Sequence, residues 1–186
     1  IMEDAFAQRR RHFYIRFDVS LPDNYPPCCP EVLFRRFINS FVANRTAKGH
    51  DPRYLWCREM TEGKRFPHWH LLFTFSARET ISFMNHLDQA VVSWASVLGI
   101  PDAKGLVDFC LKDRYGNPQR NGILLQRGAP GFAGELRTTV QWGSYLAKEE
   151  TKFFAPDKAH RWGAPRSRSR GPVAPLEWLL YEPTGG

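Results

Sequence analysis

The chain has no apolar run near the ~20 residues that span a bilayer, and its start shows no secretory leader pattern. A cytoplasmic protein of the host cell with no membrane partner is therefore expected. Cysteine is scarce and badly spaced for metal binding. Cys28 and Cys29 are adjacent, Cys57 and Cys110 stand alone, and no Cys-x-x-Cys pair occurs, which removes a zinc finger from consideration. A chain of 186 residues needs no disulfide staples, so reduced thiols are expected. There is no glycine-rich loop ending in Lys-Ser/Thr, hence no helicase ATPase. His12, His50, His86 and His160 lack partner spacing and are expected at the surface or at helix caps. Negative charge is the minority: 26 Lys and Arg face 19 Asp and Glu, leaving +7. Such a surplus favours a polyanion as partner. The basic clusters are Arg9-Arg10-Arg11, Arg35-Arg36 and Arg166-x-Arg168-x-Arg170. Arg35-Arg36 reads as a solvated helix face. Arginines flanked by aromatics, such as Arg11 near Phe13 and Tyr14, can stack on bases.

What is present is concentrated in Phe66–Phe75, which contains His68-Trp69-His70. Side chains alternate along a strand, so His68 and His70 share one face while Trp69, Leu71, Phe73 and Phe75 share the other. The preceding run, Arg53–Thr61, is rich in strand formers and is followed by the polar turn Glu62-Gly63-Lys64-Arg65. Closing an antiparallel hairpin over that turn pairs Thr61 with Phe66, Glu59 with His68 and Cys57 with His70. Opposed residues share a face, so Glu59 joins both imidazoles. A slip of one residue would send it to the wrong side. Two histidines and a carboxylate with open coordination positions form a catalytic metal set, whereas a His-x-His alone is a common accident of half-exposed strands.

Residues 133–151 carry a helical period. Leu136, Val140, Gly143, Leu146 and Ala147 fall on one side, and Gln141, Tyr145 and Lys148 on the opposite one. Tyr145 is thus not needed by the apolar stripe and has a cation one turn away. A phenol with a pKa near 10 needs an activated electrophile or a base to act as a nucleophile at neutral pH.

Together, His-hydrophobic-His on a strand, an acidic residue shortly before it and a later Tyr-x-x-Lys on a helix resemble the HUH endonucleases. More narrowly they resemble single-tyrosine rolling-circle replication initiators of the inovirus-type phage replication endonuclease family. Arg53–Glu59 running into His68–Phe73 is similar to that family's central hairpin, and Ser144–Glu149 to its catalytic helix. Phe13–Pro22 resembles an initial strand motif. His160–Arg168 resembles a closing arginine-glycine-serine element, departing from it at Ala164 and Pro165. The resemblance implies an α+β fold with a palm-like antiparallel sheet. It implies Mg²⁺ or Mn²⁺ held by His68, His70 and Glu59, polarising a phosphate of single-stranded DNA at a replication origin. Tyr145 would form a 5′-phosphotyrosine link and leave a free 3′-hydroxyl. Lys148 would orient the phenol or offset phosphate charge, and Gln141 would help position it. Arg9, Arg10, Arg11, Arg166, Arg168 and Arg170 are expected to bind DNA, and unwinding and synthesis would fall to a host helicase and polymerase. The histidine pair precedes the tyrosine, as in replication initiators; conjugative relaxases resemble the reverse order.

The remaining pattern gives a strand at residues 12–20 and a helix from Pro30, with Leu33, Phe34, Phe37, Ile38, Phe41 and Val42 as its stripe. A capping box at Ser76-Ala77-Arg78-Glu79 opens a second helix running to Gly99. Strands follow at residues 106–111 and 122–126. This order indicates helices packed on one antiparallel sheet. Residues 1–11 are expected to be a basic arm, 12–165 the endonuclease domain, and 166–186 an Arg/Ser/Pro/Gly-rich tail or linker. Two other functions fit the same residues: a transposase of the same chemistry, and a basic protein that binds single strands without cutting them.

Overall fold

A computed structural model of the protein describes residues 10–78, 81–113, 115–146 and 162–164. Among these, β1 (Arg11–Ser20), α1 (Pro30–Ala47), β2 (Arg53–Glu59), β3 (His68–Ser76), α2 (Phe83–Leu98), β4 (Val107–Asp108), β5 (Ile123–Gln126), α3 (Phe132–Leu146) and β6 (Trp162–Gly163) follow in chain order. The strands form one antiparallel sheet in the order β4-β1-β3-β2-β6, with β5 also on β1. The fold is α+β, as expected from the order of elements.

Alternation decides the two faces of this sheet. Phe13, Ile15, Phe17 and Val19 of β1 and Trp69, Leu71, Phe73 and Phe75 of β3 point into one core, roofed by α1 and α2. Phe17 stacks on Phe73 across the strand pair at 5.6 Å, and Phe34 of α1 stacks on Trp69 at 4.6 Å. The helices are locked together by Arg45, fully buried and bonded to the amide oxygens of Asn44, Asn85 and Gln89. Neutral acceptors thus satisfy a buried guanidinium that would otherwise be costly. Trp94 Nε1–H donates to the Ser20 carbonyl at 2.8 Å, tying α2 to the end of β1.

A smaller cluster lies on the opposite face. Tyr14, Cys57, Leu72, Ile123 and Leu125 meet Phe132, Leu136 and Leu146 of α3. Over its described residues the stripe of α3 departs from the predicted one at Val140, which is exposed, while Thr139 is buried with its hydroxyl donating to the Glu135 carbonyl; Ala147 lies outside the described residues. Back-bonding of this kind lets a threonine sit in an apolar stripe.

Three further expectations are corrected. Ser76 ends β3 instead of capping a helix; it pairs with His12, and its N–H donates to the His50 carbonyl. Burial of Phe75, Ser76 and Ala77 outweighs the local capping signal, so α2 begins at Phe83, and Ile81 and Met84 are exposed. The strand expected at 106–111 shrinks to Val107–Asp108, because Cys110 adopts φ +49° and leaves extended geometry. Finally, His12, His50 and His86 are buried, not superficial. His86 stacks on Phe75 at 3.8 Å and meets the edge of His50 at 4.9 Å.

Neither ring nitrogen of His86 has a hydrogen-bond partner among the described residues, and burial, with His50 and Arg45 nearby, lowers its pKa to about 3. The unfolded chain takes a proton on this ring near pH 6.5, which the folded chain refuses until about pH 3. This contribution to stability is present above about pH 6.5 and falls by up to about 1.4 kcal/mol per pH unit below it. Urea unfolding followed on both sides of that pH should show the loss. His86→Phe, which keeps a ring against Phe75, should flatten the slope; an unchanged slope would assign the acid sensitivity to other groups.

Among the described residues no helix is long and apolar enough to cross a membrane.

Candidate active site

The β2–β3 register is the predicted one through the site: Glu59 opposes His68 and Cys57 opposes His70. Pairing stops there, so Thr61 and Phe66 lie in a longer connection than expected. Three donor atoms converge on the face away from the main core. His70 Nε2 lies 2.9 Å from Glu59 Oε2, His68 Nε2 lies 3.1 Å from His70 Nε2, and His68 Nε2 lies 3.9 Å from Glu59 Oε2. All three fall within 4.8 Å of one another and are partly accessible. Glu62 is exposed in the connection and takes no part in this cluster.

A fourth residue was not anticipated. Asp18 of β1 opposes His70 across the β1–β3 ladder, and the two meet at 2.8 Å between Asp18 Oδ2 and His70 Nδ1. His70 Nδ1–H donates to that carboxylate, which leaves Nε2 turned toward Glu59 and His68. A carboxylate on the far nitrogen of a metal-ligating histidine fixes its tautomer and raises its basicity. The signal was present as an acid at an even position of β1, the face shared with His70, but it required the long-range register.

The electrostatics separate the two imidazoles. Burial lowers the pKa of His68, and His70 beside it adds to the effect, which keeps His68 a neutral donor. Burial also pulls on His70, but the hydrogen bonds and charges of Asp18 and Glu59 overcome it and raise its pKa to about 9. A positive His70 between two carboxylates marks a place where positive charge is favoured.

Asp18→Asn should weaken Mn²⁺ binding about 10–100-fold, the effect typical of a lost carboxylate behind a ligand histidine. Titration calorimetry with Mn²⁺ measures it; unchanged affinity would reduce Asp18 to a sheet residue.

Helix α3 crosses the same face, and Tyr145 lies in its backbone beside buried Leu146. Leu146 and Trp142 line a cleft together with His70, Asp18 and Leu72. The helix that carries Tyr145 and the histidine strand therefore border one space. Of the other described tyrosines, Tyr14 is buried with its phenol pushed up by burial, and Tyr25 donates to the Leu98 carbonyl. Tyr54 is also pushed up by burial and packs in the main core, while Tyr115 is exposed at the cleft rim.

Of the remaining predicted residues, those that are described are not gathered here. Gln141 is exposed on α3 and does not line the cleft. Arg10 and Arg11 are exposed at the far end of β1, and Arg11 stands seven residues from Asp18, about 23 Å at a strand's rise. Phe13 and Tyr14 beside them are buried, so Arg11 has no aromatic neighbour there free to stack on a base. Arg35 and Arg36 are exposed on α1. Lys148, Arg9, Arg166, Arg168, Arg170 and His160 lie outside the described residues. Part of the closing element is described: Trp162 and Gly163 form β6, pairing with Cys57 and Trp56 next to the strand of Glu59.

No family model matches the chain, and no curated protein matches it in sequence. Among solved structures, the chain is similar to the catalytic domain of the Rep protein of adeno-associated virus type 5, with a TM-score of 0.42 and 11% identity over 72% of this chain and 98% of that one.

Proposed function

We propose that the protein initiates rolling-circle replication by nicking and rejoining single-stranded DNA through a 5′-phosphotyrosine intermediate. The observation that carries this reading is the convergence of Glu59, His68 and His70 on the sheet face crossed by the helix of Tyr145. Two imidazole nitrogens and a carboxylate oxygen, with Asp18 behind His70, suit Mg²⁺ or Mn²⁺ in donor type and leave positions open. When bound, the ion supplies Lewis-acid polarisation of the scissile phosphate. Tyr145 attacks phosphorus in line; its phenol gives its proton to solvent as its oxygen forms the new P–O bond, the bond to the 3′-oxygen breaks, and that oxygen leaves as a hydroxyl after taking a proton from solvent. Lys148, one turn on, orients the phenol or offsets charge on the phosphate. Rejoining is the same sequence in reverse.

The reading as a non-cutting single-strand binder relied on aromatics over an open sheet. On the described sheet, Phe13, Tyr14, Phe17, Trp69, Phe73 and Phe75 are buried, and Tyr54 and Trp56 are partly buried against the main core, so this reading has less support.

Incubating the protein with short single-stranded oligonucleotides of random sequence and Mn²⁺ should give a product of reduced mobility on a denaturing gel, and excess chelator should abolish it. Cleavage that leaves no protein-bound DNA would point instead to a metal nuclease that activates water.

The net charge of +7 also gives an expected salt response. Single-strand binding measured in chelator should weaken with salt, at a logarithmic slope of about −0.7 per phosphate neutralised. A flat response would argue for a partner other than nucleic acid.

A further inference from the structure

The cleft beside His70 is larger than a phosphate requires. It has a volume of about 460 Å³ and extends from His70 and Asp18 between β1, α3 and the segment after β4. That size falls within the range of sites that hold whole small molecules. Its lining has an unusual distribution of donors and acceptors.

On one side stands Arg16, half-buried, with its guanidinium 4.9 Å over the ring of Trp142. Its Nε is buried without a hydrogen-bond partner, and the side chain makes no ion pair among the described residues. Its backbone cannot relax away, because Asn121 clamps it on both sides, accepting from the Arg16 N–H and donating to the Arg16 carbonyl. A fixed, unsatisfied cationic donor beside an aromatic plane calls for acceptors on a flat ligand.

Acceptors are crowded on the other side. Asp18 and Asp108 oppose each other directly across β1 and β4, and both line the cleft. Like charges so placed destabilise a sheet unless something stands between them. Asp18 is engaged by His70, whereas among the described residues the Asp108 carboxylate accepts only from the Cys110 N–H, through Oδ1, leaving Oδ2 for an outside donor. Asp113 adds a third carboxylate. Lys112 also lines the cleft, so the carboxylates stand against Arg16, Lys112 and His70, and walls that offer both donors and acceptors suit a base, which presents both, better than a phosphate, which presents acceptors alone.

We infer that the cleft receives one unstacked guanine of the single strand next to the scissile phosphate, held by Arg16, Trp142 and Asp108. Guanine presents two adjacent acceptors, O6 and N7, on one edge and N–H donors on another. The arginine meets the acceptor edge, Asp108 the donor edge, and the Trp142 indole the flat face. Adenine and thymine lack two adjacent acceptors on one edge, and cytosine, which has N3 beside O2, offers a carboxylate only its N4 amine in place of guanine's paired N1–H and N2–H. The inference rests on the nicking reading for the position of the phosphate, but base selection is measurable without any cleavage.

The test uses 5′-labelled oligothymidylate and the same strand with one central dG, dA or dC. Anisotropy is read in chelator, so neither cleavage nor a cation bridging the aspartates contributes. The dG probe should bind roughly tenfold more tightly than oligothymidylate, with the dA and dC probes close to the parent. Arg16→Met keeps the apolar stem and should abolish the dG preference. Trp142→Ala should weaken the dG probe about tenfold, and Trp142→Phe should recover most of that loss. Circular dichroism shows whether each variant is folded. Absence of a dG preference in the wild type, or its survival in folded Arg16→Met, overturns the inference. Adding Mn²⁺ to the same probes then reports on the nicking reading alone. A protein that prefers dG yet forms no adduct keeps the cleft and loses the chemistry, and one that forms adducts without a dG preference does the reverse.

Discussion

His70→Ala is expected to lower adduct formation on single-stranded DNA by at least about a hundredfold, the loss of several kcal/mol of metal-dependent stabilisation. His70 stands between Asp18 and Glu59, at 2.8 Å and 2.9 Å, so its removal leaves two carboxylates facing a gap with no nitrogen donor between them. Its side chain lies on the face away from the main core of Trp69, Leu71, Phe73 and Phe75, which the substitution leaves untouched. The variant should therefore fold and bind DNA in chelator like the wild type while losing most of its Mn²⁺ affinity. His68→Ala should act in the same direction, because its neutral imidazole is the second nitrogen of the set. Glu59→Ala should weaken metal binding more modestly. Undiminished cleavage by the double histidine variant, or by wild type in excess chelator, would remove the metal from the account.

Tyr145→Phe has an even larger expected effect on a single product. The ring without its oxygen cannot attack phosphorus, so no covalent product should form, while Mn²⁺ and DNA binding remain. Volume changes little, and among the described side chains of α3 the buried ones are Phe132, Leu136, Thr139 and Leu146. Tyr115→Phe is the necessary partner experiment, because Tyr115 is exposed and lines the cleft shared by His70 and Asp18. It should leave the adduct intact. Denaturant-resistant adduct from Tyr145→Phe would assign the nucleophile to another residue.

The parts of the site legible in the sequence are those set by local periodicity. Alternation in His68–Phe75 separated imidazoles from core, and strand composition with a polar turn gave the opposition of Glu59 to His68 that is observed. The turn is longer than expected, yet the register survived because both strands lost the same two residues. Asp18 escaped because its role depends on β1 lying beside β3, a pairing between segments some fifty residues apart. Arg16, Trp142 and Asp108 escaped for the same reason: three separate segments meet only in the folded chain. Local signals misled where burial opposed them. Ser76 had the sequence of a cap but continues a strand whose core residues hold it extended. His12, His50 and His86 read as surface residues by polarity, yet they occupy the interior, with His86 stacked on Phe75. The apolar stripe of α3 was nearly right, since Thr139 hid its hydroxyl in the helix and took the place expected of Val140.

The most direct measurement is peptide mapping by mass spectrometry of the adduct formed by wild-type protein, Mn²⁺ and a single-stranded substrate. Glu59, His68 and His70 face the helix of Tyr145, so the 5′-phosphate should be found on Tyr145 and on no other of the six tyrosines. A 5′-phosphate mapped to Tyr115, or DNA cut with a free 5′-phosphate and no adduct at all, would contradict the account.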